Sequence, residues 1–422
     1  MLRRVTVEKL APTGEGIVRG EEGVGFVEGA LPGEQVEASV HEVRRRFWKG
    51  KTVSLLLPSA ERHAGPHADC AACDWAHFDP EAARREKRRL FAETMERIGR
   101  LPAELFGDLP ILPSPAGYRL RARFHAAGRG GQTVVGYYAP RTHRVEPAQM
   151  CEALPEAMRV LLPRLRDAVA RSGAAVSSVA LVGTLDGTPR IARILVADAT
   201  LEDRRCGQAL SNAVADLLEG VAVQGERGEL SVCLGERRLW LCVGGRELPV
   251  TARTFFQSNR FLVEELYRDV GREAAVVPPG RALDAFGGVG LFAGALLDTG
   301  HRVVSVEADG HAVEQALEAG KRWQMKEWRV VHSGVLPFLE SEPDPVDLAV
   351  VDPPRAGLGL ELATRLADHV RSRIIYVSCE PATLARDLAV ILARGYRIAA
   401  TRLYDLFAFT HRVESVVALS RE

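Results

Sequence analysis

The stretch 346–387, VDLAVVDPPRAGLGLELATRLADHVRSRIIYVSCEPATLARD, decides the fold of this chain. Two apolar runs, VDLAVV and RIIYVS, stand on either side of a helical segment, and each run ends in polar residues. Near-continuous apolar strands are typical of parallel sheets, because helices cover both faces of such a sheet. The stretch therefore predicts a strand–helix–strand unit of an α/β domain.

The same alternation of strands and helices begins near residue 281 and continues toward the end of the chain. The further apolar runs are RALDAFG at 281–287, HRVVSVEAD at 301–309 and RVVHSG at 329–334. Together these runs predict a doubly wound, mostly parallel sheet of the Rossmann-like type.

The amino-terminal part of the chain has a different pattern. Residues 1–56 alternate short β-type runs with glycine turns, which predicts a small OB-like β-barrel. Residues 125–250 mix strand-like and helical segments, so we expect a central α/β domain there. The predicted domain limits are 1–56 for the barrel, 57–81 with 117–250 for the central domain, and 82–116 with 251–422 for the Rossmann-like domain.

Composition constrains partners and location. The 55 basic and 55 acidic residues of the 422-residue chain cancel, so any attraction to nucleic acid must be local. No apolar run is long enough to span a bilayer, and the start MLRRVTVEKL lacks the apolar core of a signal peptide. We therefore expect a cytoplasmic protein without a membrane partner.

The odd number of cysteines, seven, argues against a disulfide framework.

Two local segments concentrate basic side chains. The segment 44–51, RRRFWKGK, places five cations around Phe47 and Trp48, which suits RNA binding but also a solvated hairpin in which Trp48 faces the barrel. In YRLRARF at 118–124, the two-residue period of a strand puts three arginines on one face. These arginines suit an RNA channel or the polar face of an ordinary strand.

Ligands of doubly wound sheets bind at the carboxyl ends of the strands. Four features of this sequence fall at such strand ends. They are Asp284 and Phe286 before a glycine turn of Gly287, Gly288 and Gly290; Glu307; Asp352; and Cys379.

The glycine turn favours S-adenosylmethionine over NAD as the ligand. It reads G-G-V-G-L-F, whereas NAD enzymes carry G-x-G-x-x-G at this place. Glu307, which closes the next strand, suits hydrogen bonding to a ribose diol. Asp352 begins DPPRAG; enzymes that methylate exocyclic amines share the DPP but usually follow it with an aromatic residue, where this chain has Arg355.

Cys379 differs from the other cysteines in its position. It ends a strand on the ligand edge, next to polar Ser378 and Glu380 and just before a helix start, where a thiolate is favoured. These features predict a nucleophile. Burial as an ordinary apolar side chain is the alternative, and it is the better interpretation for Cys206, Cys233 and Cys242.

These motifs resemble those of the RNA uracil-5 methyltransferases, which act on ribosomal or transfer RNA, and the resemblance covers nearly the full length, including a TRAM-like barrel. FFQSN at 255–259 is similar to the family's F-x-Q-x-N, and DPPRAG at 352–357 to its D-P-x-R-x-G. SCEPATLARD at 378–387 resembles the element with the nucleophilic cysteine, and HRVES at 411–415 the element with a catalytic glutamate.

The resemblance implies a role for each matching residue. It implies Cys379 as the nucleophile that adds to carbon 6 of uracil, and Glu414 as the base that removes the proton from carbon 5. It implies that S-adenosylmethionine is the methyl donor, and that the donor's contacts are Gln257, Phe286, Glu307 and Asp352. The expected substrate is RNA, with 23S rRNA favoured over tRNA, and the expected enzyme is a monomer.

Many members of the family also bind a [4Fe-4S] cluster through four cysteines. Cys70, Cys73 and Cys151 match three of these positions, whereas Ala64 occupies the first. His67 lies nearby and histidine ligates iron in some clusters. The open alternatives are a cluster completed by His67, a three-cysteine cluster and a metal-free loop.

Two other functions remain as alternatives. A non-catalytic RNA-binding protein with the same fold would not need Cys379, Glu414 or Gln257. An NAD-dependent oxidoreductase would have no role for the barrel or for the cysteine.

Overall fold

The structure of the chain is a computed structural model. The structure describes residues 1–20, 23–63, 72–129, 132–139, 142–196, 208, 211–212, 214, 218–225 and 230–421. In this part of the chain, no helix is long and apolar enough to cross a membrane.

The amino-terminal strands form a six-stranded sheet in the order β1-β5-β6-β4-β3-β2. The strands are β1 Leu2–Thr6, β2 Lys9–Leu10, β3 Gly16–Gly20, β4 Gly23–Glu28, β5 Gln35–Val43 and β6 Phe47–Leu57. Trp48 is buried in the centre of this unit, and a Cβ on Gly25 would lie 2.3 Å from its ring. Trp48 therefore faces the barrel and is not available to stack on a base.

A second sheet of seven strands, in the order β10-β9-β8-β11-β12-β13-β14, follows. Its strands are β8 Arg121–Arg129, β9 Gln132–Tyr138, β10 Val145–Pro147, β11 Val176–Gly183, β12 Pro189–Val196, β13 Gly220–Gly225 and β14 Leu230–Gly235. Helix α2, Glu156–Ser172, packs on one face, where alternate residues such as Val179 and Leu181 are buried. Strands β15 Arg238–Val243 and β16 Arg246–Thr251 form a separate hairpin.

The carboxyl-terminal sheet has eight strands in the order β19-β18-β17-β20-β21-β23-β22-β7. Its strands are β7 Ile111–Leu112, β17 Arg281–Ala285, β18 Arg302–Glu307, β19 Trp328–His332, β20 Val346–Val351, β21 Val370–Ser378, β22 Tyr396–Tyr404 and β23 Glu414–Arg421. The five strands from β19 to β21 run parallel, and β23 runs antiparallel to both of its neighbours.

Helices cover this sheet, as the apolar strands require. They are α1 Pro80–Gly99, α3 Val263–Ala274, α4 Leu291–Asp298, α5 Gly310–Trp323, α6 Val335–Ser341, α7 Gly359–His369 and α8 Pro381–Leu392. Helix α1 packs on α8, where a Cβ on Gly99 would lie 3.1 Å from the carbonyl oxygen of Ala385. The segment 80–112 therefore belongs with this sheet, and the domain limits given by the sequence stay predictions.

A buried ion pair fixes helix α1 to the segment 405–413, which leads into β23. The Lys87 ammonium donates to the Asp405 carboxylate and, at 3.2 Å, to the carbonyl oxygen of Phe407. Both charged side chains are almost fully buried. Removing one member of such a pair leaves the other charge without compensation in a medium of low polarity.

We predict that Lys87→Met lowers the free energy of unfolding by about 3–5 kcal/mol, since the Asp405 charge would stay buried without its cation. Urea denaturation followed by circular dichroism measures this change. Arg89→Gln is the control, because Arg89 forms half-exposed ion pairs with Glu86 and Glu93 on the same helix, and such pairs contribute less than about 1 kcal/mol. Equal effects of the two substitutions would contradict the prediction.

Candidate active site

The site lies at the edge of the eight-stranded sheet where the parallel strands end. Strands β17, β18, β20 and β21 all present their carboxyl ends there. Strand β23 runs the opposite way, so its first residue lies at the same edge. Ser378 at the end of β21 pairs with Ser415, which places Cys379 and Glu414 beside each other.

Cys379 is half-buried in this edge. Burial raises the pKa of its thiol to about 11, and the negative charges of Glu414 and Asp352 add to the increase. The cations Arg355 and Arg412 oppose it. The expectation that the helix start would favour a thiolate is therefore wrong for the protein without ligands, because burial and two carboxylates outweigh the start of α8.

Glu414 is buried at the first position of β23. Its pKa lies well above the usual range for a glutamate, because burial disfavours the charged form and the negative charge of Asp352 lies nearby. A carboxyl group in this state binds its proton tightly. It is suited to accept a proton from a substrate once its own proton has left.

Asp352 follows β20 and is held by a side chain from the loop after β16. The Gln257 side-chain amide donates to the Asp352 carboxylate at 3.0 Å. Burial and the negative charge of Asp284 raise the pKa of Asp352 to about 7, and the Gln257 hydrogen bond opposes this shift. The structure thus brings Gln257, which is distant in sequence, to the same edge as Asp352.

The glycine turn after β17 has the geometry of a ligand-binding loop. The backbone N–H of Gly288 donates to one carboxylate oxygen of Glu307 at 3.0 Å, and that of Asp309 to the other at 2.7 Å. Phe286 has a φ of 63°, in the left-handed region. Gly290 has a φ of +98°, and a Cβ there would lie 2.4 Å from the Trp328 ring, so this position requires glycine.

Two further residues lie at this edge. The sequence alone places Asp284 at a strand end without assigning it a function, and it does not single out Arg412. Asp284 is buried, accepts a hydrogen bond from the Ser305 hydroxyl at 2.8 Å, and has a pKa raised to about 7 by burial. Arg412 lies near Cys379 and Arg355, and burial lowers its pKa. Its position two residues before Glu414, within HRVES, is the sequence feature that could have identified Arg412 as a site residue.

A cleft of about 670 Å³ opens between the barrel and the Rossmann-like domain. Thr13 and Phe26 line it from the barrel, and Cys379, Arg412 and Arg97 line it from the other side. The thiol of Cys379 is therefore reachable from this cleft.

The predicted metal site is only partly within the described residues. Cys73 and Cys151 are buried in one apolar cluster together with Tyr118. Cys70, His67 and Ala64 lie outside the described residues. Among the residues that the structure describes, no group of three metal-ligating side chains is found.

Comparisons with known proteins place the chain among RNA-modifying enzymes. A family model described as tRNA (Uracil-5-)-methyltransferase matches residues 345–422, and a TRAM domain model matches residues 2–53. A Streptomyces coelicolor protein named as an uncharacterized RNA methyltransferase is 34% identical, with 98% of this chain and 92% of the relative covered.

A solved structure has the same fold. The Pyrococcus abyssi tRNA (uracil-54, C5)-methyltransferase, determined with S-adenosyl-L-homocysteine, superposes with a TM-score of 0.78 over 99% of this chain and 100% of that chain, at 20% identity. This likeness and the TRAM match confirm the predicted fold class, a Rossmann-like domain with an amino-terminal TRAM barrel and a mixed α/β centre.

A third relative carries the family assignment. It is the 23S rRNA (uracil(1939)-C(5))-methyltransferase RlmD of Halomonas elongata, 32% identical over 99% of this chain and 89% of the relative. With this identity over nearly the whole length, the chain belongs to the family of RNA uracil-5 methyltransferases.

Proposed function

We propose that the protein transfers a methyl group from S-adenosylmethionine to carbon 5 of a uridine in RNA, with Cys379 as nucleophile and Glu414 as base. The observation that carries this proposal is the strand register: Ser378 opposite Ser415 puts a thiol and a buried carboxyl group side by side. This pair stands at the edge where Rossmann-like sheets bind their ligands.

The chemistry requires both groups. Carbon 5 of uracil is a poor nucleophile until the Cys379 thiolate adds to carbon 6, which makes carbon 5 an enolate carbon. Carbon 5 then attacks the methyl group, and the donor's sulfur leaves with the electron pair of the broken bond. Glu414 takes the remaining proton from carbon 5, and the carbon–sulfur bond to Cys379 breaks to release 5-methyluridine and the thiolate.

The charges of the site suit a cationic donor. Three acidic side chains, Asp284, Asp352 and Glu414, have pKa values raised by burial, and for two of them a neighbouring carboxylate is the next cause. The sulfonium of S-adenosylmethionine is positive, so its arrival lowers these pKa values and that of the Cys379 thiol. Donor binding therefore activates the nucleophile.

The four predicted donor contacts fit this assignment. Glu307 is held by two backbone N–H groups and keeps free lone pairs for a ribose diol. Phe286 lies partly buried beside the glycine turn. Gln257 and Asp352 form one hydrogen-bonded unit at the end of β20, where the Asp352 carboxylate would face the sulfonium.

We propose ribosomal RNA, with 23S rRNA favoured over tRNA, as the substrate. The Halomonas elongata relative, named for a 23S rRNA uracil, is 32% identical, whereas the Pyrococcus abyssi enzyme, named for a tRNA uracil, is 20% identical. The target base has to leave its stack to reach Cys379. The cleft beside the TRAM barrel gives it a route.

The first of three predictions about the site concerns the two catalytic residues. Incubation with S-adenosylmethionine and unmodified ribosomal or transfer RNA should yield 5-methyluridine, detected by mass spectrometry of nucleosides. Cys379→Ala should abolish both the product and the covalent adduct with 5-fluorouridine RNA. Glu414→Gln should slow turnover by about 10²–10⁴-fold and let a methylated adduct accumulate on ordinary RNA.

Cys242→Ala is the matched control, since Cys242 is an exposed thiol on β15, outside the site and distant from Cys379 in the sequence. It should leave the rate unchanged. Normal product release by Glu414→Gln would remove Glu414 as the base. Absence of 5-methyluridine on every RNA would favour the non-catalytic RNA-binding alternative.

The second prediction follows from the raised pKa of Cys379, about 11. The thiolate fraction of the free protein should grow about tenfold per pH unit from pH 8 to pH 10. The rate constant for alkylation of Cys379 by iodoacetamide should rise by the same factor, because the thiolate is the reactive form. S-adenosylmethionine should speed alkylation at pH 8 relative to S-adenosylhomocysteine, which lacks the methyl group and with it the positive charge on sulfur. Peptide mass spectrometry separates Cys379 from other thiols; a plateau near pH 9 would contradict the raised pKa.

The third prediction concerns iron. Cys73 and Cys151 supply two buried thiols in one cluster, next to a Tyr118 hydroxyl that has no hydrogen-bond partner in the described structure, and this donor chemistry fits an iron–sulfur cluster. We therefore expect iron and acid-labile sulfide in anaerobically purified protein, both lost in Cys73→Ser but retained in Cys242→Ser. Iron-free protein with full activity would indicate the metal-free alternative.

A further inference from the structure

A second cavity, of about 290 Å³, lies between the central sheet and the loop 252–258. Among the residues that the structure describes, its lining includes five arginines and no acidic residue. They are Arg119, Arg121, Arg123, Arg193 and Arg253, and we call this cavity the arginine groove.

Strand register builds the groove. Ala180 on β11 pairs with Arg123 on β8 and with Arg193 on β12, so the two arginines flank one small residue in a single cross-strand row. Neighbouring strands lie about 4.8 Å apart, which separates the two backbones by about 10 Å. Because Ala180 carries only a methyl group, the space between the two side chains stays open.

Three arginines of the groove have neutral hydrogen-bond partners. The Arg121 guanidinium donates to the backbone carbonyl of Thr254, and Arg123 to the Ser178 hydroxyl at 3.2 Å. Arg193 donates to the side-chain carbonyl of Gln224. Among the described residues, none of these three side chains forms an ion pair with a carboxylate.

The arrangement carries an electrostatic cost. Burial lowers the pKa of Arg193, and the positive charges of Arg253 and Arg123 lower it further. Arg190 on the same strand differs, since it pairs with Glu219 at 2.6 Å. Cations that are held together without a counter-charge are favourable only when an anion binds between them.

The groove opens beside the active site. Ser258 lines it, and the preceding residue, Gln257, donates to Asp352. S-adenosylmethionine carries one carboxylate and no phosphate, so it could compensate at most one of the five cations. Guanidinium groups bind phosphate with two parallel hydrogen bonds, which suits an RNA backbone.

We propose that the arginine groove binds a backbone phosphate of the substrate RNA close to the target uridine, with Arg123 and Arg193 as its principal contacts. This assignment rests on the proposed function, since it takes RNA as the substrate. It gives the central domain a defined role, which is to fix the register of the strand whose uridine reaches Cys379.

The test measures RNA affinity as a function of salt, without S-adenosylmethionine. Filter binding would use unmodified transcripts of 23S rRNA and of tRNA, with the variants Arg123→Gln, Arg193→Gln and both together. Loss of the one bound phosphate should reduce the slope of log K against log salt by about 0.7–0.9 in the double variant, and by part of that in each single variant. The control is Arg190→Gln, which removes the same charge from the same strand outside the groove and should leave the slope unchanged.

The kinetic readout separates phosphate binding from a structural effect. The double variant should raise the KM for RNA at least tenfold, with kcat and the affinity for S-adenosylmethionine within twofold of the parent. Unchanged slopes in both single variants, or an equal reduction in Arg190→Gln, would overturn the proposal. Because binding is measured without methyl transfer, reduced slopes in a protein that forms no 5-methyluridine would retain the groove and reject the proposed function.

Discussion

The antiparallel pairing of β23 with β21 is the constraint on which the site depends. In a wholly parallel sheet, the first residue of a strand lies at the edge opposite the ligand. Here the last strand enters the sheet in reverse between β21 and β22, so its first residue, Glu414, lies beside Cys379 and opposite Tyr404. A one-residue slip would turn the buried Glu414 side chain to the other face of the sheet.

The segment before β23 is fixed by contacts from three parts of the chain. Lys87 on α1 binds Asp405, and the backbone N–H of Asp405 donates to the carbonyl oxygen of Leu112 at 2.8 Å. The backbone N–H of Trp75 donates to the carbonyl oxygen of Phe409 at 2.9 Å, and the indole of Trp75 donates to the carbonyl oxygen of Gly14 in the barrel. Trp75 thus connects the barrel to the loop that contains Arg412, through hydrogen bonds to Gly14 and Phe409.

The local sequence predicted the site residues that directly follow a single strand. The glycine turn, Glu307, Asp352 and Cys379 each follow an apolar run, so their common edge could be inferred from the chain. Glu414 could not be inferred in this way, because its position depends on which strands pair and in which direction. The same limit explains the error about the Cys379 thiol. The helix start is local, whereas the burial that raises the thiol pKa and the two carboxylates that add to it depend on how other strands pack around Cys379.

Charge pairing explains how a chain with no net charge can still present local positive charge to an RNA substrate. Many of its surface arginines bind neighbouring carboxylates, as Arg190 binds Glu219 and Arg394 binds Asp368, and so contribute little field. Three arginines of the groove have no carboxylate partner within the described structure, whereas burial raises the pKa values of the active-site acids Asp352 and Glu414. A cluster of cations and a cluster of acids thus lie on either side of the loop that carries Gln257, although the net charge of the chain is zero. That loop joins them, because Ser258 lines the groove while Gln257 holds Asp352. Under the proposed function, a phosphate bound in the groove would therefore position the RNA relative to the donor.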